Sequence, residues 1–145
     1  MRVVVSRVNE SSVSVDGKVT GRCDKGLLIL SCFTEGDSFK EVEYLAKKCV
    51  NLRIFDDEEG VMNKSILDIG GNILSISQFT LYADANKGNR PSYFKALRGN
   101  EASKLYDLFN QELNKYVHTE TGIFGADMKI CAHHDGPVTI IIDSK

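Results

Sequence analysis

No apolar run in this 145-residue chain approaches the roughly 18 residues a helix needs to cross a bilayer. At the N-terminus only a few apolar residues follow Arg2 before Ser6 and Arg7 break the run, which reads as a first strand and not as a secretory signal. A cytoplasmic protein without membrane contact is therefore expected. Cysteine is sparse and scattered: Cys23, Cys32, Cys49 and Cys131 form no C-x-x-C pair, so free thiols in a reducing compartment are expected instead of bridges. Positive charge is not in excess either. A net charge of −2 argues against a protein that lies along a nucleic-acid duplex, because such proteins neutralise several phosphates. Ser77 lacks the G-x-S-x-G surroundings of a nucleophile elbow, and Gly70-Gly71 lacks the spacing and lysine of a phosphate loop. There is no internal repeat, linker or regular βαβ alternation.

What is present is ordinary for one globular domain spanning residues 1–145, 42% hydrophobic and 26% charged. Residues 2–8 read as a valine-rich strand, and 12–15 alternate before the hairpin signal Asp16-Gly17 and a return through Lys18-Val19-Thr20. Residues 27–33 are continuously apolar, as expected of a strand buried on both faces. Ser38 with Glu41 is a capping-box pattern, followed by Phe39, Val42, Leu45, Ala46, Cys49 and Val50 at helical spacing. A short strand at 52–55 precedes the acidic turn Asp56–Gly60. The sequence predicts a strand over 72–81, a loop over 84–91, and a short helix from Pro91 to Leu97. A second main helix is expected with Asn100 as its cap, and closing strands at 121–124, 128–132 and 138–142. This is an α+β pattern: a curved, largely antiparallel sheet with two main helices.

Three kinds of chemistry have candidate residues. Ser77 or Thr80 with His118, His133 or His134 would make a hydrolytic triad if the fold joined them. Cys131, His133, His134 and Asp135 pack four metal-ligand types into five residues, without the second pair that structural zinc sites need. The third candidate is two short segments, Ser77-Gln78-Phe79-Thr80-Leu81 and Gly136-Pro137-Val138-Thr139. Polar residues at 77, 78 and 80 fall at or past a strand end. Gly-Pro should open the last strand, and its peptide bond has a small preference for trans, about 0.5–1 kcal/mol.

Together with Arg2-Val3-Val4-Val5-Ser6-Arg7-Val8 and Gly88-Asn89-Arg90-Pro91-Ser92, these segments resemble the D-aminoacyl-tRNA deacylase family over essentially the whole chain. The resemblance implies a barrel-like sheet that forms a homodimer with sites at the interface. It implies hydrolysis of the ester that joins a D-amino acid, and in some members glycine, to the 3′-terminal adenosine of tRNA. Carried onto this chain, Ser77, Gln78, Phe79 and Thr80 would line the catalytic pocket, and Phe124 and Met128 would seat the adenine. Gly136 and Pro137 of a second copy, with a cis bond, would exclude L side chains, and Arg7 would brace them. No cofactor or metal is implied. RNA contact would be confined to the terminal nucleotide or two, with Arg7, Lys87 and Arg90 as local cations. The sequence departs from the family pattern at His134, where Asn is usual, and at Tyr93, where Phe is usual. A non-catalytic RNA- or protein-binding module on the same fold is the alternative.

Overall fold

The valine-rich start and the following alternating stretch are one strand in the computed structural model, which describes residues 1–145. This strand, β1 (Arg2–Val15), turns at Asp16-Gly17, whose φ values of 50° and 78° are those of a two-residue hairpin turn, into β2 (Lys18–Cys23). Strand β3 (Gly26–Cys32) runs antiparallel beside the first half of β1, and β2 beside the second half. Strand β6 (Asn72–Ser77) pairs parallel with β3, and β7 (Thr119–Thr121) pairs parallel with β6. The sheet is thus antiparallel around β1 and parallel at the β3–β6–β7 end. It curls until β2 meets β7: a Cβ on Gly21 would lie 2.5 Å from the Thr121 carbonyl oxygen. Glycine permits that approach, and the barrel nearly closes.

The inner and outer faces hold separate cores. Val3, Val5, Leu27, Ile29 and Ile73 face the helices with α1 (Phe39–Asn51) and α3 (Gly99–Asn114), while Val8, Val13, Leu28, Leu74 and Ile76 fill the other side. This is why residues 27–33 are apolar without alternation. Helix α1 carries the expected capping box: Lys40 N–H donates to Ser38 Oγ (3.3 Å) and Ser38 N–H donates to Glu41 Oε2 (2.8 Å). The Ser38 hydroxyl, which also donates to Glu41 Oε2 (2.7 Å), together with the Ser38 N–H holds the Glu41 carboxyl down to about 2. Phe39, expected on the buried face, is exposed.

Several expectations change. The strand at 52–55 shrinks to β4 (Phe55–Asp56), which pairs with β5 (Met62–Lys64) around the acidic turn, and a single-turn helix α2 (Ile66–Ile69) follows, capped reciprocally by Ser65 and Asp68. No helix forms from Pro91 to Leu97. Leu97 N–H donates to Phe33 O (2.8 Å), and Ser92 and Asp84 exchange backbone bonds (2.8 Å each), so tertiary partners capture the groups a helix would use. Helix α3 begins at Gly99, after Arg98, with no side-chain cap, and Asn100 lies inside it. The strands expected at 128–132 and 138–142 are one, β8 (Lys129–Asp143), which pairs antiparallel along β1. No helix is long and apolar enough to cross a membrane.

Candidate active site

Strand β6 ends at Ser77, four residues short of the expected end. Gln78 N–H donates to Ser31 O (2.8 Å), and the chain then tightens into a 3-10 turn over Phe79–Tyr82. Within the turn Leu81 N–H donates to Gln78 O and Ala83 N–H to Thr80 O, while the N–H groups of Phe79 and Thr80 have no acceptor in the chain. Free donors at the start of a helical turn are what its geometry leaves over. Gln78 Nε2 donates to Thr80 Oγ1 (2.6 Å), so the Thr80 hydroxyl is occupied as an acceptor by its own neighbour.

This turn forms one wall of a cavity of about 590 Å³. Ser77, Gln78 and Phe79 line it, and so do Phe124 and Met128 from the segment between β7 and β8. Gly122 lets that segment approach, since a Cβ there would lie 2.4 Å from Met128 Sδ. Thr80 is not among the lining residues. The lining residues not expected from the sequence include Cys32, Tyr93 and Arg98. Tyr93 stands edge-on to Phe79 with ring centroids 5.1 Å apart, and the Arg98 guanidinium lies over the Phe79 ring at 5.7 Å. The Arg90-Pro91-Ser92 tract pointed to this neighbourhood, but only the fold shows which side chains enter.

The lining holds no histidine, aspartate or glutamate. Burial pushes the Cys32 thiol up to about 11, so it stays protonated and unreactive at neutral pH. The histidines lie elsewhere: His118 stands beside Glu120 (3.4 Å), His133 Nδ1 beside Glu10 Oε1 (3.0 Å), and His134 opposite Val8 in the ladder. No triad is assembled. The Cys131–Asp135 cluster is also dispersed, with His133 on Glu10 and Asp135 on Arg7, and no three His, Cys, Asp or Glu side chains converge to hold a metal.

Gly136 and Pro137 do not reach the cavity of their own chain. They sit inside β8, not at a strand start: Ser6 pairs with Thr139 and Val8 with His134, so residues 135–138 bulge opposite the single residue Arg7. The Gly136–Pro137 peptide is cis. Gly136 has φ 124°, and a Cβ there would meet Val138 N and Cγ2 at 2.9 Å, so no other residue fits this backbone. Arg7, only 7% exposed, fills the space under the bulge. Its Nε donates to Asp135 O (3.2 Å) and lies 3.1 Å from Asp135 Oδ2, and its Nη1 donates to Ile54 O (2.8 Å). Buried in this way, Arg7 is not available as a surface cation for RNA.

The protein is thus a curled, nearly closed α+β sheet with a cleft, free of carboxylates and imidazoles, beside its 3-10 turn. The family model described as D-Tyr-tRNA(Tyr) deacylase matches residues 4–143. Two solved structures are similar: a c-Myc DNA unwinding element binding protein (37% identical, TM-score 0.94, covering 100% of this chain and 99% of that one) and a probable eukaryotic D-amino acid tRNA deacylase (17% identical, TM-score 0.83, covering 97% of each). The chain belongs to the D-Tyr-tRNA(Tyr) deacylase family, a family of hydrolases.

Proposed function

We propose that the protein hydrolyses the ester between a D-amino acid and the terminal adenosine of tRNA, and that the 590 Å³ cavity beside the 3-10 turn receives the aminoacyl-adenosine. In this reading the free N–H groups of Phe79 and Thr80 face the ester carbonyl and stabilise the oxyanion that forms on attack. Ser77 and Gln78 position the aminoacyl group, while Phe124 and Met128 hold the adenine. The single observation that carries the reading is a lining without carboxylate or imidazole next to unpaired backbone donors. Such a site suits a substrate that brings its own activation: the protonated amine weakens the ester, and a water held by the neighbouring 2′-hydroxyl attacks the carbonyl, its proton passing by way of that hydroxyl to the departing 3′-oxygen. Thr80, outside the cavity lining and already accepting a bond from Gln78, holds the Gln78 side chain and is not the nucleophile.

Chirality is sorted by backbone. A second copy of the chain brings Gly136 and Pro137 over the cavity, where their carbonyls take the α-amino group and fill the space an L side chain needs. Two observations support this: the bulge does not serve its own cavity, and Arg7 locks it from behind. Strand β8 is a 15-residue edge that leaves Ile141 and Ile130 exposed, a surface that a second copy would cover. Glycine has no side chain to exclude, so glycyl-tRNA should also be hydrolysed.

The deciding experiment compares hydrolysis of one tRNA charged with D- or L-tyrosine. Rapid release of D-tyrosine with L-tyrosine left in place is expected; no release above the buffer rate would favour a non-catalytic binding module. Sedimentation measures the homodimer directly.

A further inference from the structure

Phe94 is 95% exposed, the most exposed of the chain's large apolar side chains. Its position is not that of a loose loop tip. The Asp84–Ser92 bridge closes the loop before it, Thr34 Oγ1 donates to Lys95 O (2.7 Å), and Leu97 N–H donates to Phe33 O (2.8 Å). The strap is pinned on both sides of Phe94 while its ring stays in water. Residues 85–100 also carry four cations, Lys87, Arg90, Lys95 and Arg98, and no carboxylate, in a chain whose net charge is −2. All four are exposed, and none forms an ion pair. Tyr93 and Arg98, on either side of Phe94 and Lys95, line the cavity itself.

We propose that this strap is a docking surface for the unpaired RNA strand that leads to the terminal adenosine, with Phe94 stacking on a base and Lys95 and Arg98 taking phosphates. The inference rests on the reading of the cavity given above. A strand leaving the cavity past Tyr93 and Arg98 meets next the exposed ring and then the unpaired cations. An aromatic ring interleaved with cations is the arrangement by which proteins hold single-stranded nucleic acid without reading its sequence. It also accounts for how an acidic protein retains an RNA substrate: the positive charge is gathered where the strand emerges.

The test uses two substrates, D-tyrosyl-tRNA and a short D-tyrosyl ester of adenosine that has no phosphate and no preceding base. Phe94→Ala should raise KM for the tRNA about tenfold relative to KM for the short ester, as loss of one stacked base predicts. Lys95→Ala should do so less, and should lower the slope of log KM against log salt by about 0.7, the value for one phosphate on a single strand. Equal loss on both substrates, no change on either, or a monomer–dimer shift in Phe94→Ala would overturn the docking surface, the last by assigning Phe94 to a second copy of the chain. Wild-type protein inactive on both substrates would overturn the cavity reading together with it; wild-type activity with an unmoved Phe94→Ala overturns the docking surface alone.

Discussion

Replacing Arg7 by alanine removes the prop beneath the 135–138 bulge, and the size of the effect follows from its partners. The bond from Nη1 to the Ile54 carbonyl (2.8 Å) is charge-assisted, and a bond of that kind contributes roughly 1.5–3 kcal/mol. The pairs with Asp56 (3.3 Å) and Asp135 (3.1 Å) involve carboxylates that are 53% and 37% exposed, so each adds no more than about 1 kcal/mol after solvent screening. Arg7→Ala should therefore cost about 3 kcal/mol. With a urea m-value of about 2 kcal/mol/M for a chain of this size, the unfolding midpoint falls by about 1.5 M. Arg7→Lys should recover only part, because one ammonium does not span the Ile54 carbonyl and Asp135 together. A second consequence is specific to the bulge: with Asp135 released, its two carbonyls lose their fixed direction, and protection of L-tyrosyl-tRNA should weaken even at temperatures where the variant is fully folded. A wild-type urea midpoint with unchanged D/L discrimination would refute the bracing role of Arg7.

Gly136→Ala places a Cβ 2.9 Å from Val138 N at a φ of 124°; a loss of roughly 1–3 kcal/mol in thermal unfolding and of D/L discrimination is expected. Thr80→Ala should retain turnover within about tenfold of wild type, because Thr80 acts as a partner of Gln78; a thousandfold fall in kcat with binding intact would make Thr80 the nucleophile. Gly122→Ala should push the flexible Met128 side chain into the cavity, raising KM for D-aminoacyl-tRNA several-fold with little change in stability. Burial raises Cys32 to about 11 and Cys49 and Tyr82 to about 12, so the fold favours their neutral forms. That stability is fully present below the unfolded thiol value of 9.0 and is lost as pH climbs through 9 toward 11. Urea midpoints should fall steadily above pH 9; a flat profile to pH 10.5 would contradict the burial of these groups.

Much of the scaffold could be read in one dimension because it is local chemistry. Asp16-Gly17 demands a two-residue hairpin turn, Ser38 and Glu41 cap a helix through bonds three residues apart, and an unbroken apolar run such as 27–33 has to be covered on both sides. The two segments Ser77–Leu81 and Gly136–Thr139 also named the family. The termini of the elements were less accessible. Strand β6 runs to Ser77, its last ladder bond going from Gln78 N–H to Ser31 O before the chain tightens into the 3-10 turn, and residues 91–97 form no helix because Phe33 O holds the Leu97 N–H. These acceptors lie more than forty residues away for Gln78 and more than sixty for Leu97, outside any local pattern.

The same division holds at the candidate site. Residue types at 77, 78, 79, 124 and 128 were legible beforehand, whereas the entry of Cys32, Tyr93 and Arg98 into the cavity, and the separation of Gly136-Pro137 from it, were not. Sequence alone determined which turns, caps and apolar runs the chain must have, since those depend on bonds between near neighbours. Tertiary structure decided which side chains line the cavity, which cations are buried and which remain in water, because desolvation and long-range hydrogen bonds exist only once distant strands have met.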